Sequence, residues 1–207
     1  LGSGTSSGTF GTVTDNSNGS YTAILTGTTS GTARSLTATI NSGAVTSTMP
    51  AVTVIPAAVS LSQSVVSVAR GSIASGDTTL VTLIARDANG NRLTGGGLTI
   101  AFGLGSGTSS GTFGTVTDNS NGSYTAILTG TTSGTARSLT ATINSGTVTS
   151  TMPSVTVIPG AVANFLVENS GGGAIPTRTA GSGFNIRVTA RDANNNTVTG
   201  FTGTVNI

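Results

Sequence analysis

Along residues 20–25 the apolar side chains fall on every second position, Tyr21, Ala23 and Leu25, and the same alternation returns at Leu36, Ala38 and Ile40. A period of two with Thr or Ser between is the signature of a half-buried strand. Runs of this kind predict strands at 8–14, 20–25, 34–40 and 45–55, with Asn18-Gly19 and Asn41-Ser42-Gly43 as hairpin-turn signals between them. Further runs follow at 59–68, 78–87 and 98–103. Within 78–87, Val81, Leu83 and Ala85 alternate with Leu80, Thr82 and Ile84, so this strand is expected to be buried on both faces. No stretch keeps apolar residues at helical spacing for three turns, and the chain is read as all-β.

The pattern repeats. Residues 104–162 reproduce residues 1–59 at a spacing of 103, and over those 59 positions only Ala44/Thr147, Ala51/Ser154 and Ala57/Gly160 differ. A period of that length is a domain able to close its own core, unlike the shorter units of a solenoid. The reading is therefore tandem immunoglobulin-like β-sandwiches of about seven antiparallel strands each. Residues 1–56 are the C-terminal half of one repeat, 57–159 a complete repeat, and 160–207 the N-terminal half of another, with Pro56 and Pro159 at the joints. The chain is expected to be a window on a longer protein.

Composition narrows the function classes. Only 7% of residues are charged, the net charge is +2, and the eight basic residues are all Arg and scattered, so no basic run tracks a phosphate backbone and nucleic acid is not an expected partner. The absence of Cys removes disulfides and thiolate chemistry, and the absence of Lys removes Lys-to-Asn isopeptide cross-links. No apolar run reaches the roughly 18 residues that span a bilayer, so no membrane insertion is expected in these residues.

At Val81-Thr82-Leu83-Ile84-Ala85-Arg86-Asp87-Ala88-Asn89-Gly90-Asn91, at Asp118-Asn119-Ser120-Asn121-Gly122-Ser123-Tyr124 and at Thr131-Thr132-Ser133-Gly134-Thr135, the chain resembles the bacterial immunoglobulin-like repeats of invasin- and intimin-type surface proteins. It is more loosely similar to filamin-type repeats. Ala180-Gly181-Ser182-Gly183-Phe184 with Ala190-Arg191-Asp192-Ala193-Asn194 looks like the front half of a related repeat. The resemblance implies a long secreted or surface-anchored stalk, adhesin or fibre, and carries no ligand with it.

Candidate chemistry is sparse. Gly107-Thr108-Ser109-Ser110-Gly111 and its copy Gly4-Thr5-Ser6-Ser7-Gly8 fit the G-x-S-x-G pattern of a nucleophile elbow, but that needs a helix and a His base, and the sequence has no His. Both are read as loops. Asp87-x-Asn89-x-Asn91 and Asp192-x-Asn194-x-Asn196 begin like a calcium loop, yet positions six and twelve hold Arg92 and Leu98, or Thr197 and Gly203, instead of Gly and Glu. These six residues are weak calcium candidates, and an Asx-rich turn is favoured. The remaining acids, Asp15, Asp77, Asp118 and Glu168, form no evident pair for glycoside chemistry, and no other cofactor is implied. Tyr21 and Tyr124 sit in apolar phase and are assigned to the core rather than to sugar binding. Asn18-Gly19-Ser20, Asn121-Gly122-Ser123 and Asn195-Asn196-Thr197 match the glycosylation acceptor pattern.

The expectation is a structural, non-catalytic segment of an extracellular or cell-surface adhesin-like stalk, whose partners are neighbouring repeats of its own chain. The alternative is a self-assembling extracellular filament in which half-units of different copies complete each other. A third reading is an accessory module of a secreted enzyme.

Overall fold

The computed structural model describes residues 1–206, and no helix forms among them. Ile207, the last residue of the expected third segment, lies outside the described residues.

The first segment contains β1 (Ser7–Phe10), β2 (Thr14–Asp15), β3 (Tyr21–Thr22), β4 (Leu25–Thr29), β5 (Arg34–Ser35), β6 (Thr39–Ile40), β7 (Gly43–Ala44) and β8 (Ala51–Val52). They pair only two by two, as β1-β4, β2-β3, β5-β8 and β6-β7.

The central segment adds β9 (Val65–Val68), β10 (Ser72–Ala74), β11 (Thr78–Ile84), β12 (Ile100–Leu104), β13 (Ser110–Phe113), β14 (Thr117–Asp118), β15 (Ser123–Thr132), β16 (Arg137–Ile143), β17 (Gly146–Thr147) and β18 (Ser154–Ile158). These form two five-stranded sheets, β10-β18-β16-β12 with β17 on β16, and β13-β15-β11-β9 with β14 on β15. The unit is the expected sandwich. It has ten strand segments rather than about seven, two of them the two-residue strands β14 and β17, and one pair, β10 with β18, runs parallel. The third segment is an antiparallel pair, β19 (Asn164–Asn169) and β20 (Ile186–Arg191).

The core lies between the two sheets. Val81, Leu83 and Ala85 from β11 and the residue after it meet Tyr124 and Leu128 from β15, Leu139, Ala141 and Ile143 from β16, and Val155 and Val157 from β18, all buried. Burying such a side chain contributes about 1.5–3 kcal/mol. The tyrosine hydroxyl finds a partner as well, accepting the Leu98 N–H at 3.1 Å. Phe102 and Phe113 stack at the edge of the core with ring centroids 5.9 Å apart.

One expectation fails here. β11 is buried on one face only: Leu80 remains exposed, as does Ile127 directly across from it on β15. A two-layer sandwich has no third layer to cover the outer face, so the apolar residues there shield each other as a cross-strand pair.

The repeat supplies an internal control. Tyr21 and Ile40 are 66% and 70% exposed, while their counterparts Tyr124 and Ile143 are 1% and 2% exposed. Where β16 is one seven-residue strand, the same sequence in the first segment yields only the two-residue β5 and β6. The difference is the front half: β11 and β12 pair with β15 and β16, and the first segment has no such partners among the described residues. In this 207-residue chain Ile143→Ala should therefore cost about 2–5 kcal/mol in chemical denaturation. Ile40→Ala, the same change at the same repeat position, should stay within about 0.5 kcal/mol.

Candidate functional site at the joints between units

Asp87 and Asp192 each open a tight hairpin. In the first, the Asp87 N–H donates to Asn91 O and the Gly90 N–H to Asp87 O, and Gly90 holds φ +81°. In the second, the Asp192 N–H donates to Asn196 O and the Asn195 N–H to Asp192 O, with Asn195 at φ +66°. Gly and Asn are the residues that tolerate this left-handed position, which is why the turn survives the change from one to the other.

Both carboxylates are 1% exposed. Asp87 Oδ1 accepts the N–H groups of Asn89 and Asn91, both at 2.9 Å, and its Oδ2 accepts the Ala57 N–H and the Asn91 side-chain amide, also at 2.9 Å. Asp192 repeats this with Asn194 and Asn196 on Oδ1 at 2.9 and 2.8 Å, and Gly160 and the Asn196 amide on Oδ2 at 3.0 and 2.9 Å. Ala57 and Gly160 directly follow the prolines at the joints, so each Asp fastens the start of its unit to its own hairpin.

Burial by itself would raise the Asp192 pKa. The donors from Gly160, Asn196 and Asn194 outweigh it and hold the group down from 3.8 to about 2. Asp87 is lowered in the same sense, with burial opposed by the donors from Ala57, Asn91 and Asn89.

The second asparagine of each pattern reaches into the unit before. Asn91 Oδ1 accepts the Ser30 N–H and its amide donates to Thr28 O, both at 2.9 Å. Asn196 Oδ1 accepts the Ser133 N–H at 2.8 Å and its amide donates to Thr131 O at 2.9 Å. Thr28 and Thr131, like Ser30 and Ser133, are the same repeat positions. Each hairpin thus closes on the end of the long β15-type strand of its predecessor, with one geometry at both joints.

Of the six calcium candidates, the structure brings Asp87 with Asn91 and Asp192 with Asn196 into one hydrogen-bonded knot, and leaves the side chains of Asn89 and Asn194 exposed. Among the described residues no three acidic or imidazole groups gather as a metal cluster. Sequence reasoning located the knot and missed its partners, because Thr28, Ser30, Thr131 and Ser133 contribute backbone atoms that no side-chain motif advertises. The available signal was the recurrence of the pattern once per unit.

The other candidates are structural. Ser109 and Ser6, the central serines of the G-x-S-x-G loops, are buried and accept the N–H groups of Val157 and Val54 at 2.9 and 3.0 Å. Their carbonyls accept Arg137 and Arg34, so the loops are staples. Glu168 pairs with Arg187 directly across β19-β20. Asp118 accepts the Gly97 N–H at 2.6 Å and the Ser120 N–H at 2.8 Å. Asn121 Oδ1 accepts from Arg92 and from Ser123, which holds that turn in place.

Residues 60–160 match the family model of invasin domain 3. Among solved structures, the Escherichia coli adhesin FdeC is 30% identical over 95% of this chain and 64% of its own, with a TM-score of 0.52. Yersinia pseudotuberculosis InvD is 28% identical over 96% of this chain and 62% of its own, also with a TM-score of 0.52. Invasin, described as a bacterial integrin-binding protein, is 21% identical over 88% of this chain and 36% of its own, with a TM-score of 0.50, a likeness of fold. The chain thus spans less than two thirds of the length of each. No curated protein sequence matches it.

The lowered aspartate pKa values make the joints acid-sensitive in a defined sense. The folded state favours the ionised Asp192, so its contribution is complete above the ordinary value of 3.8 and is lost as the pH falls through about 2. Denaturation series from about pH 5 to about pH 2 should show stability declining below about pH 4. Asp192→Asn should flatten that part of the profile.

Proposed function

We propose that the chain, whose residues 60–160 match the invasin domain 3 family model, is a non-catalytic stalk segment of a cell-surface adhesin, in which the joints set a fixed angle from one unit to the next. The observation that carries this reading is the joint itself: at both joints the hairpin of one unit grips the same two backbone atoms of the unit before. A flexible tether would need no such grip, and the chain has no free linker there, because Ala57 and Gly160 are already bonded to the next hairpin. An array with one repeated joint geometry projects as a rod whose length scales with unit number, suited to holding a binding tip away from a surface. The likeness to FdeC and InvD supports a cell-surface location, and a sequence without His, Cys or Lys supports a non-catalytic role.

The hydrogen bonds at each Asp support a joint held without calcium. Both oxygens of each Asp already face two N–H donors, and a cation would have to displace them. Adding millimolar calcium or a chelator should leave the melting temperature unchanged, and a calcium-dependent rise of several degrees would overturn this part of the reading.

A second reading has its own observation. Phe10, Val13, Tyr21, Ala23, Ala38 and Ile40 line an open groove of about 820 Å³ where the counterpart residues of the central unit hold β11 and β12. β20 carries Ile186, Val188 and Ala190 at the places of Val81, Leu83 and Ala85, and among the described residues it pairs only with β19. A front half suits the groove, and where a second copy supplies it the result is head-to-tail filaments.

Electron microscopy of the native material separates the two readings. Single-file rods with uniform angles between beads are expected for the stalk, and randomly bent strings would overturn the fixed joint. Sedimentation over a range of concentrations tests the filament: growth accompanied by burial of Tyr21 supports it, and a monomer with Tyr21 exposed throughout removes it.

A further inference from the structure

The second joint shows side-chain contacts in addition to the shared backbone grip. At the second, the predecessor is complete, and the hairpin meets both of its halves. Ser75, one residue past β10, belongs to the front half and the first sheet, while Thr131 and Ser133 belong to the end of β15 in the back half and the second sheet. Ser75 Oγ donates to Thr131 O at 2.9 Å and accepts the amides of Asn194 at 2.7 Å and Asn196 at 2.9 Å. The Asn196 amide is also within reach of Thr131 O.

At the first joint Asn89, the counterpart of Asn194, is exposed, and Asn91 reaches Thr28 and Ser30.

From these contacts we infer that the third segment latches the central unit: its Asn194 and Asn196 side chains add an outside clasp at the pole where the Ser75–Asp77 connector and the Gly76–Gly130 and Gly130–Asp77 backbone bonds join the two sheets. The coupling has a direction. The central unit is reinforced by the segment that follows it, so part of its stability depends on that neighbour. This inference concerns how units reinforce each other and holds for a stalk or a filament alike.

Hydrogen exchange on the full 207-residue chain tests it. Asn196→Ala should speed exchange not only in 160–206 but also in β10, β11 and β15 of the central unit, by about three- to tenfold for the loss of its hydrogen bonds to Ser75, Thr131 and Ser133. Asn194→Ala, an exposed residue whose side chain bonds only Ser75 Oγ, is the milder variant and should produce a smaller change in the same strands. Combining Asn194→Ala with Ser75→Ala should add nothing to Ser75→Ala alone, because the Asn194 side chain bonds only Ser75 Oγ, which Ser75→Ala already removes. Faster exchange confined to 160–206 would overturn the latch. A variant that unfolds 160–206 outright is equally decisive: the latch then predicts a loss of protection in the central unit, and unchanged protection there rejects it.

Discussion

A buried carboxylate cannot stay charged unless its oxygens are bonded, and this requirement at Asp87 and Asp192 organises everything near the joints. Four N–H donors must converge on each group, and the chain supplies them from three places: the first residue of the unit, the turn backbone, and the asparagine amide. Meeting the requirement fixes the hairpin, draws the linker down onto it, and orients the asparagine so that its remaining polar atoms point outward at the neighbouring unit. The geometry between units is therefore a by-product of solvating a charge with protein. Because removing one donor leaves an under-bonded buried charge, the arrangement is close to all-or-none, which is the property a rigid joint needs.

Much of this fold was legible in the alternation of apolar and small polar residues. Tyr124, Leu139 and Ile143 pack where their phase placed them, and the Asn-Gly signals mark turns. The reading failed where burial depends on what lies outside the strand. Leu80 lies in a strand whose pattern predicts burial on both faces, yet no third layer covers it. Tyr21 and Ile40 have the right phase and are solvent-exposed, because phase says which side of a strand is apolar and not whether a second sheet stands there. The site was legible in position and not in role. Asp-x-Asn-x-Asn announces converging oxygens and amides, but the backbone atoms it grips carry no residue signature.

The near-identical copies also separate propensity from packing. Sequence differing at only three of 59 positions forms ten continuous residues of β15 in one place, and the short β3 and β4 with a break between them in the other. Hairpin contacts such as Phe10 opposite Leu25 form in both, since they are local. Long strands form only where a sheet partner arrives from far along the chain. Turn chemistry sets the register of this fold, and the union of two half-units sets its extent.

The grip of Asn91 and Asn196 on carbonyl and amide groups has a consequence for how such a gene can change. Backbone atoms are present whatever side chains a repeat carries, so a repeat that keeps the strand end in place offers a valid acceptor to any newcomer bearing the hairpin. Unequal recombination between the copies can then add or delete whole repeats without a compensating mutation at the seam. Such copying would leave what this chain contains, 59 residues that recur at a spacing of 103 with three substitutions.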